Sequence, residues 1–519
     1  MAREATERTA PSSRVLVVGL DMGDGGLIRH WSHQGRLPNF AALMASGSWI
    51  ELESPARVLH TSTWPTFATG VLPGKHGVYY PYQPKPGYQL ARHIEADQYG
   101  TAPFWQLADQ RGIRCLVYDV PETFPEIGFQ GRAVFDWGTW AWYGVPSSQP
   151  ASLLKEMRTQ FGPYPLGFEA KRLGLRQPDA SLLEKRLLRS IEYKCRTLKW
   201  LLDRESWDLT AAGFCETHAA GHYLWPAAAK SAEECDARSF EPLLNVYAVL
   251  DRALGDLRDG LPSGTTFMVT SGDGLRPNHC GWHLLPQVLE RLGYSVTAAG
   301  SDAGGPPRSL LGRVKRLLPE GPKRKIADSL PWWLRNRIGT GIQDSETDWS
   351  RTRAFCLPTD LEGCIRINLK GREPYGIVEP GGQYEDLCNE IQQKLQELTI
   401  PSVGIPATER VWIRNEVFPG DRQEHLPDLM VTWNDNGPIT SLGSHRIGLV
   451  EGKSPDRRPG THSPFGFLIA AGGHIPHSGG GDGELVDVAP TILKLMGLDA
   501  VPDMDGTPLV GLLQRHVPV

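Results

Sequence analysis

The chain has 519 residues, of which 40% are hydrophobic and 22% charged, with a formal net charge of -5. That is enough apolar material for a substantial core, in one large domain with insertions or in two to three ordinary ones. The mild charge argues neither for nor against a nucleic-acid or membrane partner, no nucleic-acid polymer is expected, and no apolar run reaches membrane-spanning length.

Residues 1–13, MAREATERTAPSS, are polar and lack the apolar stretch of a secretion signal, so a frayed tail and a cytoplasmic location are expected. The eight cysteines are scattered without CxxC spacing, which suits reduced core thiols better than a disulfide frame or a zinc knuckle. Arg14 to Leu20, RVLVVGL, reads as a buried parallel strand that delivers Asp21 at its C-terminal edge, where open α/β sheets place their sites. A helix interrupted at Gly35 and Pro38 follows, then the helix FWQLADQR and the strand GIRCLVYDV, an alternation that predicts a doubly wound α/β sheet.

Residues 14–136 are therefore the first part of the α/β core, and 137–205, with LLKEMRTQF and SLLEKRLLRSIEYKCRTLKWLLDR, a helical insertion. Sheet-like sequence returns over 206–300. The stretch 301–425 reads as a cap or lid that sets specificity, and its basic, tryptophan-bearing portion from 300 to 350 suits an acidic substrate, a lipid surface or a solvated helix pair. Residues 426–519 close the core, ending in DVAPTILKLMGL, a helix with Pro490 in its first turn and Gly497 past its end.

The stretch VLHTSTWPTFATGVLPGKHGVYY, 58–80, reads as an active-site turn running into a helix that begins near Thr63 or Trp64. His60, Thr61, Ser62 and Thr63 stand at that start, where an anion such as phosphate would be favoured, or where a hydroxyl caps the helix. Polar groups also end other predicted strands: Asp21, His218 and His222 in ETHAAGHYLW, Asp273 in TSGDGL and His462 in GTHSPFG. Histidines four apart on one helical face can bind a single ion, and separate carboxylates can hold a second.

These motifs in this order resemble the alkaline phosphatase superfamily, and within it the type I phosphodiesterase/nucleotide pyrophosphatase branch, over residues 14–300 and 425–510. The resemblance implies a central mixed sheet flanked by helices, a small anionic phosphate ester as substrate, and a divalent metal site, usually zinc, of one or two ions. It also implies that Asp21, His222 and His462 are metal ligands. Two departures stand out. His218 replaces the aspartate of an Asp-x-x-x-His pair, giving the triad His218, His222 and His462, and Ser271-Gly272-Asp273-Gly274 replaces Ser-Asp-His-Gly, with His279 and His283 nearby as substitutes for the lost ligand.

The nucleophile has two readings. Counting back nine positions from Thr69 lands on His60, as ligand or covalent nucleophile, whereas the local Thr-x-Pro match selects Thr63, with Thr61 as another hydroxyl. The spacing favours His60. A sulfatase-like hydrolase is disfavoured because the turn lacks the Cys or Ser followed by x-Pro-x-Arg. A catalytically dead relative that binds an anionic ligand or a protein partner is the rival from another class.

Overall fold

The seven residues of β1 (Arg14–Leu20) contain no polar side chain after Arg14, and six of them are buried. Successive side chains on a strand face opposite ways. Leu16, Val18 and Leu20 accordingly join one apolar layer, and Val15 and Val17 the other. Such a strand needs cover on both faces, which places it inside a sheet. In the computed structural model, which describes residues 13–92, 100–138, 146–166, 179–226, 240–297, 340–341, 347–473, 475–477 and 480–513, β1 lies in the middle of a nine-stranded sheet.

The other strands are β2 (Gly47–Glu53), β3 (Cys115–Tyr118), β4 (Arg132–Phe135), β5 (Ser147–Gln149), β6 (Leu209–Phe214), β7 (Thr265–Ser271), β8 (Phe465–Ala471) and β9 (Gly480–Glu484). Their order is β9-β2-β8-β7-β1-β6-β3-β4-β5. The run from β7 to β4 is parallel, while β8 is antiparallel to both its neighbours and β5 to β4. The edge strand β9 is parallel to β2, so the sheet is mixed, and the five strands of the run from β7 to β4 end on the same edge.

Helices cover both faces. On one side lie α1 (Gly25–His33), α2 (Pro38–Ser46), α4 (Ala180–Arg204), α5 (Glu216–Leu224) and α6 (Glu241–Asp259). On the other lie α3 (Thr63–Thr69) and α7 (Val488–Leu495), with Trp64, Phe67, Ile492 and Leu493 packed beside Val15 and Val17. Helix α3 stops at Gly70, whose φ of +68° is a left-handed conformation that glycine adopts without strain. Helix α4 belongs to the predicted helical insertion and is tied to the sheet by a fully buried ion pair, Lys194 Nζ to Asp119 Oδ2 at 2.7 Å. The same ammonium donates to the Gly213 carbonyl at 2.9 Å and lies 3.8 Å from Glu216 at the start of α5.

A satellite body sits beside this core. Its four-stranded antiparallel sheet runs Ala354–Leu357, Gly363–Ile367, Leu429–Trp433, Thr408–Ile413, and the helix Gly382–Gln396 supplies Ile391 and Leu395 to its interior. One boundary therefore differs from the sequence expectation. The strand Leu429–Trp433, assigned to the C-terminal core from residue 426, pairs with Gly363–Ile365 in the satellite, and the central sheet resumes only at Phe465. An all-apolar strand carries no mark of which sheet it joins. Of the expected lid, residues 347–425 build the satellite, while its basic portion, 298–339 and 342–346, lies outside the described residues, as do 139–145 and 167–178 of the helical insertion. Among the described residues no helix is long and apolar enough to cross a membrane.

Candidate active site

A cavity of about 80 Å³ opens at the C-terminal edge of the parallel strands, lined among others by Asp21, His60, Trp64, His218, Asp273 and His462. Asp21 follows β1, His218 comes from the helix after β6, and Asp273 follows β7. Residues far apart in the chain meet there because parallel strands deliver their ends to one side.

Three imidazoles form the inner wall. His218 and His222 stand one turn apart on α5, with their Nε2 atoms 3.0 Å apart. His462 arrives on the strand Gly460–Ser463, antiparallel to Gly274–Pro277. Gly460 permits the close approach, since a β-carbon there would stand 2.2 Å from the Gly221 carbonyl oxygen. That approach lets His222 Nδ1 donate to the Gly460 carbonyl at 2.9 Å, while His462 Nδ1 donates to Asp273 Oδ2 at 2.5 Å. Both bonds fix the tautomer and leave Nε2 unprotonated, as the acceptor atom of each ring. Burial lowers the pKa of His218 to about 3 and holds His222 and His462 well below the usual histidine value, so all three are neutral. Their ligand atoms lie within 4.8 Å of one another, the single such His/Cys/Asp/Glu group among the described residues.

His60 is buried in a different setting. Its Nδ1 lies 2.9 Å from Glu362 Oε2, its Nε2 lies 3.3 Å from Asp360 Oδ1, and its backbone N–H donates to Glu362 Oε1 at 2.8 Å. Burial alone would lower the imidazole pKa, but Glu362 and then Asp360 outweigh it and raise the value to about 10. A carboxylate faces each ring nitrogen, an environment suited to a fixed cation, where the roles expected of His60 are metal ligand and nucleophile. Asp360 also accepts from Arg458 Nη2 at 2.9 Å. Asp456 holds Arg458 Nε and Nη2 at 2.9 and 2.7 Å, and Arg458 Nη1 lies 3.2 Å from His222 Nε2.

The remaining sequence candidates sit as follows. Asp21 Oδ1 accepts from the Trp64 indole at 2.9 Å, and its Oδ2 lies 3.7 Å from His218 Nδ1. Asp273 is taken up at both oxygens, by the Met22 N–H at 3.1 Å and by His462, and burial raises its pKa to about 7. Thr61 Oγ1 donates to the Tyr79 carbonyl and Thr63 Oγ1 to the His60 carbonyl. Thr63 therefore closes the turn before α3 by donating a bond, in place of the expected cap, which would accept one. His279 pairs with Asp435 at 2.9 Å and His283 faces the Gly452 carbonyl at 3.2 Å, both away from the cavity.

Residues 15–442 match the family model described as type I phosphodiesterase/nucleotide pyrophosphatase. The chain belongs to the type I phosphodiesterase/nucleotide pyrophosphatase family. Family membership makes it a phosphoester hydrolase of phosphodiesterase/pyrophosphatase type, in a family that is typically dependent on divalent metals. No curated protein matches the sequence. Among solved structures the chain is similar to phosphonoacetate hydrolase from Sinorhizobium meliloti in complex with phosphonoacetate, at 14% identity and a TM-score of 0.50 over 94% of this chain and 96% of that one. It is also similar to murine ectonucleotide pyrophosphatase/phosphodiesterase 5, at 15% identity and a TM-score of 0.47 over 94% and 96% of the two chains. The human form of that protein gives 14% identity and a TM-score of 0.49 over 95% and 97%. At these identities the likeness is one of fold.

Sequence reasoning missed Asp360, Glu362 and Arg458, which the structure places around His60 and His222. The first two flank Leu361 just before the strand Gly363–Ile367, in PTDLEGCIRI, and Arg458 lies four residues before His462 in RRPGTH. The basic pair beside GTH was the only usable signal. Nothing local says that a satellite loop reaches His60.

Proposed function

We propose that this family member hydrolyses a phosphodiester or nucleotide-type phosphate ester with one divalent cation, zinc, held by His218, His222 and His462. The observation that carries this reading is the set of three neutral imidazoles, His222 and His462 buried and His218 partly so, whose ligand atoms lie within 4.8 Å of one another, two of them with Nδ1 committed to donation. Neutral imidazoles favour zinc over magnesium, and three protein ligands leave a fourth position for water or substrate.

Charge supports the need for a cation. His60 and Arg458 are flanked by Asp360, Glu362 and Asp456, with Asp21 and Asp273 on the same wall, so acidic groups outnumber basic ones around the cavity. An anionic ester entering such a site needs further positive charge. When bound, a divalent cation supplies Lewis-acid polarisation of a phosphoryl oxygen and lowers the pKa of a bound water.

The chain's own residues do the rest. Asp21, whose pKa burial raises, faces the cavity and is placed to take a proton from an attacking water. Water is the attacking group in this reading, because His60 is held between carboxylates and the Thr63 hydroxyl is bonded to a backbone carbonyl. The phosphorus–oxygen bond to the leaving group breaks as the water oxygen bonds to phosphorus, and the proton taken up by Asp21 is returned through solvent to the departing alkoxide. Trp64 orients Asp21, and Asp273 orients His462. The absence of the sulfatase signature in the turn favours phosphate over sulfate esters. Turnover of aryl phosphodiesters, monoesters and sulfates by protein of known metal content tests the reading, and a sulfate ester hydrolysed faster than every phosphate ester would overturn it.

A further inference from the structure

The family resemblance implies up to two ions, and the residues at the second position do not fit one. A β-carbon on Gly272, where the Ser-Asp-His-Gly pattern has its aspartate, would stand 2.1 Å from Thr63 Cγ2 and 2.7 Å from Leu485 Cδ2. The space of that carboxylate is filled by apolar atoms. Asp273, at the adjacent position, gives both oxygens to the Met22 N–H and to His462, and Asp21 gives one of its two to Trp64. His60, at the position counted back from Thr69, has a carboxylate against each ring nitrogen.

We infer that this chain holds a single cation and that Arg458 contacts the phosphoryl group of the substrate in place of a second one. The inference rests on the functional reading given above. The Arg458 guanidinium is permanently charged: Nε and Nη2 are committed to Asp456 and Asp360, and Nη1 alone points to the imidazole triad, 3.2 Å from His222 Nε2. A cation on the triad would be held through the His222 Nε2 lone pair that Arg458 Nη1 now faces, so Nη1 would turn to the cavity that Arg458 lines, where a phosphoryl oxygen is the acceptor such a donor suits.

The test uses the full-length protein, purified without chelators, equilibrated with excess zinc and desalted. Metal analysis is expected to find one zinc per chain in the wild type and none in His462→Ala. Inorganic phosphate, titrated calorimetrically, is expected to bind the zinc-loaded wild type and to bind Arg458→Lys at least about tenfold more weakly, with zinc content unchanged and the variant still folded. Two zinc ions per wild-type chain, one of them surviving His462→Ala, would overturn the inference and leave the hydrolase reading standing. Phosphate binding by Arg458→Lys equal to wild type would overturn the role of the arginine. A folded wild-type protein that takes up no zinc would overturn the functional reading itself.

Discussion

The γ-methyl of Thr63 lies 2.1 Å from the point where a β-carbon on residue 272 would stand, so the hydroxyl-bearing turn and the glycine after β7 share one space. A side chain at 272 and a threonine at 63 exclude each other unless one moves. Gly272→Ala is therefore expected to destabilise the protein by about 1–3 kcal/mol, the usual cost of forcing a methyl into a packed interior. In a Thr63→Ser background, which lacks the methyl, most of that cost disappears. Urea unfolding of the four proteins of this cycle checks it, and an equal loss in both backgrounds contradicts it.

His60 and Thr63 are expected to separate in their effects. Thr63→Ala removes a hydroxyl that donates to the His60 carbonyl, at a cost of about 1 kcal/mol, and leaves zinc content and turnover near wild type. His60→Ala leaves Glu362 buried without its cation and Asp360 with Arg458 alone, so a stability loss of about 3–5 kcal/mol and loss of turnover are expected. Assays of both variants, with an acid-quench search for labelled enzyme, are the measurement. An inactive, folded, metal-loaded Thr63→Ala beside an active His60→Ala would restore a threonine nucleophile.

The pH dependence of stability carries a sign. His60 titrates near 10 when folded, against 6.5 as a free histidine, because Glu362 and Asp360 outweigh burial. Between those values the folded chain holds a proton that the unfolded chain has lost, so the stabilisation is complete below pH 6.5 and falls as pH rises toward 10. Urea midpoints measured across that window for wild type and Glu362→Gln are expected to converge at the alkaline end. Parallel pH profiles would show that the pair does not carry the effect.

Much of the site was legible because its residues sit at ends of strongly patterned segments. Asp21 after RVLVVGL, the one-turn spacing of His218 and His222, and Gly70 closing α3 all follow from local rules. His60 was read from a count of positions, which gives location but no surroundings, and its carboxylate partners come from a loop some 300 residues away in sequence (|i−j| = 302 for Glu362). Asp273 was read as a ligand because carboxylates at strand ends often are. Its neighbour His462 instead claims one oxygen, a pairing set by the antiparallel register of Gly274–Pro277 with Gly460–Ser463 that no short-range pattern encodes. The pairing of Leu429–Trp433 with Gly363–Ile365, which moves the boundary expected at residue 426, is equally non-local.

The helical insertion is expected to matter to the site through one buried lysine. Lys194→Met leaves Asp119 and Glu216 without their shared cation at the foot of α5, and a loss of about 3–5 kcal/mol is expected in denaturant unfolding. Since α5 carries His218 and His222, zinc affinity is expected to fall as well. Wild-type stability and zinc affinity in this variant would show that the insertion is not coupled to the triad.

Asp273→Asn tests the orientation of His462 without touching a proposed ligand atom. Loss of the carboxylate that accepts from His462 Nδ1 is expected to weaken zinc binding about 10–100-fold, measured by competition with a chromophoric chelator. Unchanged affinity would mean that His462 is held by its strand alone.

The most direct measurement of the central claim is phosphodiester turnover as a function of zinc bound. Protein stripped with a chelator is titrated with zinc while hydrolysis of an aryl phosphodiester is followed, in wild type and in His218→Ala. Turnover that is absent without metal, rises to a plateau at one zinc per chain and stays absent in the variant is the predicted result. Full hydrolysis by the stripped enzyme, or none by folded wild type at saturating zinc, would contradict a hydrolase built on His218, His222 and His462.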